Sequence, residues 1–130
     1  MSWLNESEVT TAADKARSRK DSLISRIEAQ RKEQESLGVT INGIRYAGYP
    51  GNRQALGEAL EFANVSGATV FPGWKGSDGQ FHADHPVADV LEAYQAIGAR
   101  RSGLIGLEGQ YIAQVEAGTL TDTEALSWDV

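Results

Sequence analysis

The chain has 130 residues, 41% of them apolar and 23% charged, with a net charge of -6; this is the size and composition of one globular unit with an extension, not of two independent domains. It contains no cysteine, which removes disulfides, thiolate zinc sites, iron–sulfur clusters and cysteine nucleophiles, and it has no run of roughly 20 apolar residues that could cross a membrane. The acidic balance argues against nucleic-acid binding, and the N-terminus lacks the apolar stretch of a secretory signal, so synthesis in the cytoplasm is expected.

Charge is spread unevenly. Residues 15–20, KARSRK, carry four basic side chains, whereas residues 102–130 have no Lys or Arg and five acids. These are either solvated faces or complementary surfaces that steer association. Asn5 and Glu8 stand at capping-box spacing, and neither Gly nor Pro follows before Gly38. A helix of about eight turns, roughly 45 Å long, is predicted there. Its apolar residues, Val9, Ala12, Ala13, Ala16, Leu23, Ile24, Ile27 and Ala29, make only a narrow stripe. Residues 1–37 therefore read as a helical arm that lies on the body or on another chain.

Beyond Gly38, Val39, Ile41, Ile44 and Tyr46 are strand formers around Asn42-Gly43, the signature of a two-residue hairpin turn. Pro50-Gly51 reads as a turn and Asn52 as the cap of a short helix with Leu56, Leu60 and Ala63 inward, closed by Gly67. A second hairpin places Val70, Phe71 and Trp74 before the Asp78-Gly79 turn and Phe81 after it. Asp84 is then placed to cap a helix with Pro86 in its first turn, and the apolar spacing continues to Gly118. Gly98, Gly103, Gly106 and Gly109 fall inside that helix at about 1 kcal/mol each relative to alanine. Either it breaks near Gly103 or a neighbour packs closely on it.

The fold class is thus α+β: an arm over 1–37, a domain of two hairpins with one short and one long helix over 38–118, and a C-terminal segment over 119–130. Thr121 and Glu124 in that segment again stand at capping-box spacing. Residues 38–118 are expected to fold without the rest. Trp3 and Leu4 at one end, Leu126 and Trp128 at the other, either fold back on the chain or dock on a partner. With the seam residues Leu23 and Ile27 they are the candidate partner contacts.

The chain's two histidines, His82 and His85, flank Asp84 closely enough to suggest zinc. If Phe81 faces the core, His82 faces water, Asp84 is occupied as a cap, and His85 is held extended before Pro86. The stretch reads as a hairpin return and a helix start, with no metal, cofactor or catalytic residue assigned. Neither a phosphate-binding loop nor a nucleophile elbow is present, and an enzyme is not expected.

The segments VTINGIRYAGYPGNRQALGEALEFA and ATVFPGWKGSDGQFHADHPVADVLEAYQAIGARRSGLIGLEGQYIAQVEAGTLTD cover residues 39–63 and 68–122. Their INGIRY hairpin, the helix from Gln54 to Leu60 and the hairpin from Trp74-Lys75 to His82 resemble a phage-borne domain of unknown function found in tail-fibre and tail-associated proteins of tailed bacteriophages and prophages. The resemblance implies a structural tail component in the virion that attaches to or stabilises a tail-fibre or baseplate protein, as a homo- or hetero-oligomer. The alternative is a fibre-assembly chaperone that leaves the virion.

Overall fold

The computed structural model describes residues 11–130. Asn5 and Glu8, the expected cap, lie outside them. Helix α1, Ala12–Leu37, begins at a different capping box: Thr11 Oγ1 accepts from the Asp14 amide at 3.0 Å and Asp14 accepts from the Thr11 amide at 3.3 Å. Gly38 ends it at φ 69°, where a Cβ would fall on the Tyr46 carbonyl oxygen. Only glycine lets the chain turn so tightly into the next strand.

Strands β1, Val39–Ile41, and β2, Ile44–Tyr46, form an antiparallel hairpin about Asn42 (φ 50°) and Gly43 (φ 80°), as expected of a type I′ turn. Helix α2, Pro50–Ser66, takes in the Pro50-Gly51 pair expected as a turn and starts two residues before the expected cap, Asn52. Pro50 is its first residue and Tyr49 its N-cap, because proline's fixed φ suits the first turn. Asn52 is no cap; its side-chain amide donates to the Ala47 carbonyl at 2.6 Å. A second two-stranded antiparallel sheet pairs β3, Val70–Lys75, with β4, Phe81–Pro86, across a turn where Asp78 Oδ1 accepts from the Gln80 amide at 2.9 Å and Gly79 has φ 79°.

Helix α3, Val87–Glu116, is one unbroken helix of 30 residues. Its start differs from the expectation: Pro86 is the N-cap and Asp84 lies inside β4. Its glycines do not break it. At Gly103 a Cβ would come within 2.8 Å of Val130 Cβ, so the chain's own last residue exploits that notch. Among the described residues nothing closes on Gly98, Gly106 or Gly109.

Two cores share α3. In the head, Tyr46, Leu56, Ala63, Phe71, Val90, Ala93 and Ile97 are buried between both hairpins, α2 and the first half of α3. In the stem, α1 lies antiparallel on the second half of α3, since Arg17 meets Glu116 and Gln34 meets Arg100. Ile27, Leu104, Val115 and Trp128 are its core. Of the two placements expected for the helical arm, on the body or on another chain, the structure shows the first: α1 and the second half of α3 form a helical pair. Residues 119–130 form no helix despite the Thr121–Glu124 spacing; they run back as a strap over the two helices, from Leu120 to Val130 beside Gly103.

Candidate functional site

The two histidines come together through a break in strand alternation. In a regular strand, residues three apart face opposite sides. Asp84, at φ 50°, breaks the pattern, and Pro72 opposite it is skipped by the ladder, which pairs Phe71 with His85 and Gly73 with Ala83. The His82 and His85 rings consequently approach to 5.8 Å, and those of Phe71 and Trp74 to 5.2 Å. The expected orientation is reversed: Phe81 is 78% exposed, whereas His85 is 2% exposed and His82 partly buried.

His85 stacks on Trp74 with ring centres 5.4 Å apart and planes 12° from parallel, and its Nε2 meets the Tyr46 hydroxyl. Burial, followed by a smaller effect of Asp89, pushes the Tyr46 hydroxyl up to about 12. Burial, followed by His82, lowers the His85 pKa, with Asp89 acting in the opposite sense. With both groups neutral, Tyr46 donates and Nε2 accepts, leaving the ring proton on Nδ1. His82 Nε2 lies 3.5 Å from Asp78 Oδ2. Among the described residues no three His, Asp or Glu side chains converge as a metal site. With Tyr46 and His85 both buried, the arrangement braces the two hairpins against each other.

A second cluster surrounds the end of α1. Buried Glu35 is met by Arg31 at 3.0 Å, Arg101 at 3.2 Å and Arg53 at 3.5 Å, and Arg31 also reaches Glu108 at 3.3 Å. Arg45 donates to the Leu37 and Ser36 carbonyls at 2.9 and 3.0 Å, and Arg100 to that of Gln34. The last turn of α1 carries no basic residue of its own, so its free carbonyls and negative dipole end are answered by arginines from β2 and α3. Sequence spacing along α1 shows only the Arg31–Glu35 pair, because the other partners lie in other elements.

Of the candidate partner contacts, Trp3 and Leu4 lie outside the described residues. The other four sit in the stem. Ile27 is fully buried, and Leu23 and Leu126 pack partly buried against its cluster. Trp128 is 9% exposed, donates through Nε1 to Gln30 Oε1 at 2.9 Å, and meets the Tyr111 ring edge-on at 5.2 Å. Gln30 in turn donates to the Thr123 carbonyl at 2.9 Å, and the Tyr111 hydroxyl to that of Ser127. Both C-terminal apolar residues thus fold back on their own chain.

The outer surface has apolar features that sequence spacing did not single out. Phe62 and Val65, on the side of α2 turned from the core, are 66% and 82% exposed. Along α3, Gly98, Ser102, Ile105, Gly106, Gly109 and Ala113 form an exposed face with no charge. No helix among the described residues is long and apolar enough to cross a membrane.

A search of curated proteins and a search of solved structures each found no match. Residues 18–130, which take in most of α1 together with the head and the strap, match the family model described as a domain of unknown function (DUF4376), and the chain belongs to that family.

Proposed function

We propose that the chain is a structural component of a bacteriophage tail, which attaches to or stabilises a tail-fibre or baseplate protein and stays in the virion. The observation that carries a binding role is the exposure of Phe62 and Val65 on one helix face. Large apolar side chains grouped on an outer face mark surfaces that associate. The uncharged face of α3 adds to this, since a helix face meant for water ordinarily carries charge. The tail context rests on the resemblance of residues 39–122 to the phage-borne domain. In this reading the protein has no catalytic role, acts through protein contacts in homo- or hetero-oligomers, and passes through the host cytoplasm during assembly.

Quantitative mass spectrometry of purified virions tests the proposal. A copy number matched to a tail component supports it. Phe62→Asp with Val65→Asp, which leaves the core untouched, is expected to lower incorporation at least tenfold, equivalent to about 1.4 kcal/mol. Absence from virions whose fibres nonetheless require the gene would identify an assembly chaperone instead, and absence without any effect on fibres would end both readings.

A further inference from the structure

The C-terminal strap covers part of the seam between α1 and α3. Among the described residues a groove of about 340 Å³ stays open beside it, between the first half of α1 and the start of the strap, with Val115 of α3 at its base. Its floor includes Leu23, Val115 and Leu120, and its rim carries Arg19, Lys20 and Arg26. Among the described residues no carboxylate lines it. The adjacent Arg17 is occupied by Asp21 and Glu116, and Lys20 donates to the Glu116 carbonyl at 2.9 Å. Arg19 and Arg26 are exposed and make no ion pair or hydrogen bond among the described residues. In a chain of net charge -6, this is a cationic rim around an apolar floor.

The strap shows what chemistry this seam accepts. It forms neither helix nor strand, turns at Glu124-Ala125, lays Leu120, Leu126 and Trp128 on the helices, and leaves Asp122, Glu124 and Asp129 exposed. The groove continues that interface, since Leu120 belongs to both, and its rim is basic. We propose that this groove binds an acidic segment with apolar side chains, contributed by a partner protein. The apolar side chains fill the floor, and the flanking carboxylates face Arg19 and Arg26. This rests on the reading of the chain as a binding component and names the chemistry of its partner.

The test uses the full chain and a fluorescein-labelled peptide of the strap's own sequence, TLTDTEALSW, added in trans and followed by anisotropy. Saturable binding is expected, weakening as salt is raised. Replacing the peptide's acids with lysine, or Arg19→Glu with Arg26→Glu in the protein, is expected to weaken it at least tenfold. Ser22→Trp, which fills the groove without changing its charge, should block it as well; circular dichroism confirms that each variant is folded. No saturable binding, or equal binding by the lysine peptide or the charge-reversed protein, overturns the proposal. So does a benzophenone side chain at Ser22 that crosslinks the purified protein to its own residues 1–10 or to a second copy. The peptide assay reads the groove whether or not the protein is found in virions, so its failure is separate from failure of the tail reading.

Discussion

The head and the stem close their cores by different means. The head folds largely from neighbours in sequence: each hairpin pairs consecutive strands, and α2 joins them directly. Its centre is aromatic, with Tyr46, Phe71, Trp74 and His85 in contact. The stem joins α1 to α3 and Trp128 to Gln30, and it surrounds a small centre of three aliphatic side chains and Trp128 with ion pairs such as Arg17–Glu116 and Arg31–Glu108. A helix with few apolar residues can be held firmly if its narrow stripe meets a matching helix and a strap seals the seam. Whether the two regions are separable depends on α3, which is continuous through both.

The strongest way to break the comparison is to remove the stem's contributors. A chain of residues 38–118 lacks α1 and the strap, leaving Leu104 and Val115 in water and Arg45, Arg53, Arg100 and Arg101 without Glu35 or the α1 carbonyls. It is expected to lose cooperative thermal unfolding, contrary to what sequence alone suggests. A sharp calorimetric transition in this fragment would show that the head stands by itself.

Single core truncations come next. Leu56→Ala in the head and Leu104→Ala in the stem, both at buried positions, should each cost about 2–5 kcal/mol, and Trp128→Ala about 3–5 kcal/mol. Because α3 spans both cores, all three variants should melt in a single transition at a lowered temperature. Two separate transitions in any of them would make the regions independent.

The regions should also differ in acid. Burial and His82 hold the His85 pKa below its ordinary 6.5, so the unfolded chain takes up this proton more readily than the folded one. The stabilisation is complete above about pH 6.5 and is lost as the pH falls below it. Urea midpoints measured across that range should fall with pH in the wild type and more shallowly in His85→Gln; equal slopes would remove His85 from the account. Amide exchange should show the loss first around β3 and β4.

The smallest effect sharpens the view of α3. Gly106→Ala and Gly109→Ala add a methyl where the described residues leave open space, in helical backbone. Each should raise stability by up to about 1 kcal/mol, the difference in helix propensity. Destabilisation of the isolated protein would mean that this face is already covered, as by a second copy.

Several features were legible in sequence because their causes are local. Asn42-Gly43 and Gly79 meet the backbone demands of their turns, Gly38 and Gly67 end their helices with positive φ, and apolar spacing marks all three helices. The α+β class follows from these elements in order. What tertiary structure decided depends on residues far apart in the chain. The start of α3 at Pro86, not at a cap on Asp84, goes with β4 pairing as far as Pro86, so Asp84 is held within the sheet. The left-handed backbone of Asp84 then sets the side to which His82 and His85 turn, which alternation alone predicts wrongly. The ring of arginines on Glu35 comes from three elements. The burial of Leu126 and Trp128 depends on a groove that exists only once α1 and α3 have met. A pattern in sequence records which residues avoid water; which surface receives them is settled by contacts that form only when distant segments close on one another.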